Sequence, residues 1–180
     1  MARHPSALLL VDFMNPLDFD GADALARPAV RAARCTAQLK RRLARSGVPV
    51  VYCNDNFGRW ESDFDNVVAY CESRGGAAAE LVATLPRDSS ERTILKPRHS
   101  AFFGTPLEFL LDELGVERLI LTGIAADNCI LFTAQDAYLR KYALWVPGDC
   151  VASEKDKYRR DALAYMERVM KADTRPATRA

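Results

Sequence analysis

Short unbroken apolar runs alternate along this chain with stretches in which apolar residues recur every three or four positions. The runs have the length of buried strands, and the periodic stretches suit helices with one apolar face. Strands are predicted over residues 7–11, 49–53, 93–96, 118–122 and 143–146. Helices are predicted from about Arg27 and Pro28 to Ser46, and over residues 64–73, 106–114, 128–141 and 156–171. Gly47 and Gly115 punctuate two helix ends, while Pro28 and Pro106 suit first-turn positions. The remainder of the stretch between the second and third strands reads as loop, and residues after Ala172 fit either a short edge strand or a frayed end. Strand and helix alternate throughout, which predicts an α/β fold with a parallel sheet covered on both faces.

The chain has 180 residues, 49% of them hydrophobic, enough for one domain over residues 1–180 with a full core. A net charge of +1 gives no reason to expect nucleic acid or an anionic membrane as partner. The first apolar run ends too soon, at Asp12, for a signal peptide, and no stretch approaches membrane-spanning length, so a cytoplasmic protein is expected. Five cysteines, widely spaced and without a C-x-x-C pair, indicate reduced thiols rather than a disulfide framework or zinc ribbon. With only His4 and His99 as imidazoles, a multi-histidine metal site within one chain is excluded. No metal and no cofactor are expected.

Three strand ends carry chemistry. The run Leu8-Leu9-Leu10-Val11 delivers Asp12, the run ending at Leu95 delivers Lys96, and Leu119-Ile120-Leu121-Thr122 leads through Gly123 to Cys129 at the start of a helix. Backbone N–H groups and the positive end of a helix dipole favour a thiolate there, so the sequence predicts an acidified Cys129. In an open parallel sheet of order 3-2-1-4-5 the crevice lies between strands 1 and 4, the two strands that end at Asp12 and near Cys129.

With these positions in place the chain resembles the isochorismatase-like cysteine hydrolases, which include nicotinamidases and N-carbamoylsarcosine amidases. The resemblance runs from Leu8 to about Ser153 and is carried by Asp12, by Lys96 with Ser100-Ala101-Phe102, and by Gly123-Ile124-Ala125 followed by Cys129. It implies a three-layer α/β/α sandwich around five to six parallel strands in the order 3-2-1-4-5-6, and a homo-oligomer. It also implies a cis peptide between Ile124 and Ala125, an oxyanion site made by the N–H groups of Ala125 and Cys129, and catalysis by Asp12, Lys96 and Cys129. Asp12 then takes the thiol proton, Lys96 steadies both anions, and Cys129 attacks a carbonyl carbon to give a thioester. Protonated Asp12 donates to the leaving amine, after which water, deprotonated by the Asp12 carboxylate, cleaves the thioester.

Departures from the family pattern bear on substrate. Asp12-Phe13-Met14-Asn15-Pro16-Leu17 keeps the acid and the asparagine of the first motif and alters the wall beyond them. Metal-binding relatives carry Asp-x-His where this chain has Asp55-Asn56-Phe57, and a frequent threonine is replaced by Ala126. Candidate substrate-binding residues are Phe13, Asn56, Phe57, Trp60 and Phe102. Aromatic residues are more often core than pocket, and the turn-rich stretch around Asn54 and Trp60 reads equally as a self-satisfied loop or as a recognition loop using Asn56 or Arg59. His99 reads as a loop residue or one a layer behind the site, not as a metal ligand. The expected activity is hydrolysis of a C–N bond in a small amide, ureide or carbamoyl compound. Cleavage of an isochorismate-like vinyl ether and a catalytically silent small-molecule-binding protein are the alternatives, whereas no phosphate-binding glycine motif supports a nucleotide site.

Overall fold

The structure, a computed structural model, describes residues 4–60 and 62–179. Among the described residues, six strands and six helices follow in the order β1 (Ser6–Val11), α1 (Ala22–Ala44), β2 (Val50–Asp55), α2 (Phe64–Arg74), α3 (Gly76–Thr84), β3 (Arg92–Lys96), α4 (Leu107–Leu114), β4 (Arg118–Ile124), α5 (Cys129–Leu139), β5 (Ala143–Trp145), β6 (Val151–Ala152) and α6 (Asp156–Met170), with a 3-10 turn at Ala177–Arg179. Every strand pairing is parallel, and the order is β3-β2-β1-β4-β5. Successive side chains of a strand point to opposite faces, so an unbroken apolar run feeds two cores. Ala7, Leu9 and Val11 pack on one face with Leu107 and Leu111 of α4, Ile130 and Ala134 of α5 and Met166 of α6. Leu8 and Leu10 pack on the other with Leu25 and Ala29 of α1, Phe64 and Val67 of α2 and Leu81 of α3. The three-layer sandwich is the result of that division.

Local differences from the sequence pattern have local causes. The first helix begins at Ala22, ahead of Pro28, because Ala22, Leu25, Ala29 and Ala32 form one buried stripe running straight through the proline. Losing one backbone donor there is outweighed by burial of that face. Helix α3 lies where loop was expected. Its buried Ala78, Leu81 and Val82 have helical spacing, but Gly75 and Gly76 directly before them read as a break.

The sixth strand does not extend the sheet beyond β5. After Trp145 the chain turns at Pro147 and Gly148, with the Cys150 N–H donating to the Pro147 carbonyl at 2.8 Å, and returns to the edge of β4. There β6 pairs Val151 with Gly123 and Ala152 with Ile124, while β5 pairs with β4 only from Arg118 to Ile120. The place outside β5 is held by a single parallel bridge between Trp145 and Asp173.

Gly123 shows how tightly β4 is set against β1. Its φ is +139°, and a Cβ built on it would lie 2.0 Å from the Val11 carbonyl oxygen. Gly123→Ala should therefore abolish soluble folded protein or cost more than about 3 kcal/mol in urea unfolding. Gly47→Ala, where nothing lies within 4 Å, should cost only the roughly 1–2 kcal/mol of a left-handed residue. Equal losses for the two variants would show that the β1–β4 approach is not the constraint.

Candidate active site

Asp12 is the first residue beyond β1, and its backbone is left-handed at φ +54°, a conformation aspartate tolerates better than most residues. Its N–H donates to the Cys53 carbonyl at 3.0 Å. Its carboxylate is held from two sides. Oδ1 accepts the Asp55 N–H at 2.7 Å, and Oδ2 lies 2.8 Å from Lys96 Nζ. The neighbouring Asn54, 1% exposed, clamps the same turn by accepting the Met14 N–H at 3.1 Å and donating to the Met14 carbonyl at 2.8 Å.

Lys96 ends β3 two strands away from β1, yet its side chain is completely buried. Its ammonium reaches Asp12, donates to the Arg98 carbonyl at 3.1 Å, lies 3.5 Å from Asp55 Oδ2, and meets Cys129 Sγ at 3.7 Å. Burial alone opposes this charge. The surrounding anions, Asp12 first, overcome that and push the Lys96 pKa up to about 12.

Cys129 opens α5, where the leading N–H groups of a helix have no partner within it. The thiol meets the same ammonium that holds Asp12, and the peptide joining Ile124 to Ala125 is cis. The Ala126 N–H is occupied by the Ala152 carbonyl at 2.8 Å, which ties the turn to β6. The predicted acidification of the thiol is reversed: burial, followed by the charge of Asp12, raises the Cys129 pKa, and Lys96 only partly offsets them. A helix end cannot outweigh removal from water beside a carboxylate. Burial also raises the Asp12 pKa, against the opposing pull of Lys96 and the thiol hydrogen bond.

The five candidate substrate-binding residues do not form one wall. Phe13, 1% exposed, belongs to the core under α1, and Phe102, 6% exposed, packs against Tyr142 and beneath Arg140. Both are core side chains, because each follows a strand end at a point where the chain turns back over the sheet. Asn56 is buried, and its side-chain oxygen is taken by the Gly58 N–H at 2.9 Å, an internal turn of its own loop. The Arg59 guanidinium lies over the Tyr70 ring. Phe57 and Trp60 are exposed.

Sequence reasoning missed Asp55 and Asn54, whose signal was available: polar residues continuing a buried strand toward the crevice. It also set aside His99, whose Nδ1 lies 3.8 Å from Cys129 Sγ. Asp55 Oδ1 accepts the Phe57 N–H at 2.7 Å while Oδ2 faces Lys96, and Phe57 has no lone pair to offer. No group of three or more His, Cys, Asp or Glu side chains among the described residues is arranged to hold a metal. The metal site that the resemblance implies for Asp-x-His sequences does not fit these residues.

An acid, an ammonium and a thiol are gathered at the carboxyl ends of parallel strands in a three-layer α/β/α sandwich, the architecture of the isochorismatase-like hydrolases. The Isochorismatase domain profile matches residues 6–174. The isochorismatase family protein YaaI of Bacillus subtilis (strain 168) is 36% identical, over 96% of this chain and 94% of that protein. This chain belongs to the isochorismatase family. It is also 29% identical to the ureidoacrylate amidohydrolase RutB of Enterobacter sp. (strain 638), covering 78% of this chain and 72% of that one. The crystal structure of N-carbamoylsarcosine amidase from Thermoplasma acidophilum superimposes with a TM-score of 0.75 at 26% identity, covering 97% of each chain.

Stability should report the raised thiol. Above its ordinary value of 9.0 the unfolded Cys129 loses its proton while the native one keeps it. The native state then binds more protons, so unfolding free energy falls as pH rises. Chemical denaturation at several values from about pH 9 to 11 should give Cys129→Ala a shallower decline than the parent, by up to about 1.4 kcal/mol per pH unit. Parallel slopes would mean that the native thiol ionises like an unfolded one.

Proposed function

We propose that the protein is a metal-independent cysteine hydrolase that cleaves a C–N bond in a small amide, ureide or carbamoyl compound through a thioester on Cys129. The observation that carries this reading is the contact of one thiol, at a helix start, with a buried ammonium that is itself paired to a buried carboxylate. Proton transfer from Cys129 to Asp12 moves a negative charge from one side of Lys96 to another and leaves the net charge of the cluster unchanged. A thiolate is therefore formed at the moment of attack rather than held at rest. Sulfur attacks the carbonyl carbon, the oxygen takes the negative charge, and the N–H groups of Ala125 and Cys129 donate to it, at about 3–4 kcal/mol for a good donor. Asp12 then returns the proton to the departing amine. Exposed Phe57 and Trp60 are the pocket candidates that remain open to a substrate.

The free state of all five cysteines supports a cytoplasmic setting. Exposed Phe132, Tyr138 and Leu139 of α5 share a cleft with Tyr165 of α6, an apolar surface suited to self-association with a second copy. Leu139→Glu should then shift the sedimentation coefficient to that of a monomer. A parent protein that sediments as a monomer at high concentration would remove the homo-oligomer.

A panel of small amides, ureides and N-carbamoyl compounds, with isochorismate alongside, should yield ammonia or amine release. Asp12→Asn, Lys96→Met and Cys129→Ala should each lower turnover by about 10³-fold or more, and pairs of them little further, because the three groups act as one unit. Isochorismate cleavage that survives Cys129→Ala at full rate would replace the nucleophilic mechanism with acid-catalysed ether cleavage. Tight binding of panel compounds without release by the reduced protein would instead favour a silent binding protein.

A further inference from the structure

Cys129 Sγ has two sides. Lys96 and Asp12 meet it from within, with side chains 0% and 5% exposed, and both Asp12 oxygens already accept other donors. His99 meets it from the solvent side, with Nδ1 at 3.8 Å. Four contacts hold this imidazole and the segment that carries it. The carbonyl of Arg98, just before it, is held by Lys96 Nζ. After it, the Ser100 hydroxyl bonds Asp136 and the Ala101 N–H donates to Thr133 Oγ1 at 3.0 Å, so the segment is fastened to the helix that carries Cys129. The ring itself lies against Phe132, one turn beyond Cys129, with centroids 5.4 Å apart and planes 30° apart. An exposed side chain held on every flank and aimed at the reacting sulfur is pre-organised for use.

We infer that His99 is a catalytic residue of the second half-reaction, the base that activates the water which hydrolyses the thioester. The inference rests on the thioester reading and transfers the water step from Asp12 to the imidazole. The acyl carbon is bonded to Sγ, so a water between that carbon and Nδ1 is within reach of both. The water O–H bond breaks, its proton goes to Nδ1, and its oxygen bonds the acyl carbon. The C–S bond then breaks, its electron pair returns to sulfur, and the imidazolium gives the proton back to Sγ. Acid product and neutral thiol are regenerated with no other reactant. Asp12 remains the partner of the buried, amine-releasing half-reaction, and His99 works where water arrives.

The test uses p-nitrophenyl acetate, which acetylates thiols and makes the two steps separately visible. Nitrophenolate release reads acylation, and decay of the acetyl adduct on Cys129, followed by intact-protein and peptide mass spectrometry, reads deacylation. His99→Ala should keep the acylation rate within about threefold and slow adduct decay by about 10²-fold. Free imidazole should restore decay in the variant far more than it accelerates the parent. Decay at the parent rate would overturn the assignment, as would a slowing that imidazole leaves untouched, which marks a structural effect. Failure of the parent protein to form any adduct on Cys129 would instead overturn the thioester mechanism itself, and His99 with it.

Discussion

The ion pair between Lys96 and Asp12 is the constraint around which the rest of the molecule is arranged. A fully buried ammonium is costly, and removing one member of such a pair typically destabilises a protein by about 3–5 kcal/mol. Here the cost is offset by a carboxylate at 2.8 Å and a carbonyl at 3.1 Å, with a second carboxylate behind them at 3.5 Å. Each partner arrives from a different strand end, so the pair forms only when β1, β2 and β3 are in register. The left-handed backbone at Asp12, the Asn54 clamp on Met14 and the Asp55 N–H on Asp12 all serve to keep that carboxylate facing inward. Strained backbone of this kind persists only where its surroundings over-determine it.

How much of this can be read from the sequence depends on whether the cause is local. The strands are legible because a parallel sheet buried on both faces demands unbroken apolar runs, and Leu8 to Val11 and Leu119 to Leu121 are such runs. The order of acid, amine and thiol at successive strand ends is legible for the same reason, since all parallel strands present their carboxyl ends on one side. Helix α3 is obscured by two glycines, and β6 has only two residues, too short for any periodicity. The protonation of Cys129 is not legible at all. A helix start argues for acidity, while depth and the carboxylate beside it argue against, and only three-dimensional placement decides between them. Phe13 and Phe102 illustrate the same limit, because a loop position does not reveal whether a ring points into the core or out of it. His99 lies close to Lys96 in sequence, but its contact with Cys129 depends on fastening between Ser100, Ala101 and α5.

A buried cluster with one resident positive charge also limits what the site can tolerate. Charge can move between Asp12 and Cys129 because the sum stays constant, whereas a net gain or loss of charge at that depth is opposed by the same desolvation that raises both pKa values. A substrate whose reacting centre is neutral, such as an amide or ureide carbonyl, fits this condition. Any charge the substrate carries is better placed outside that interior, where water can share in solvating it. On the cysteine-hydrolase reading proposed above, the interior constrains the bond chemistry, and residues outside it are left to select the molecule that presents that bond.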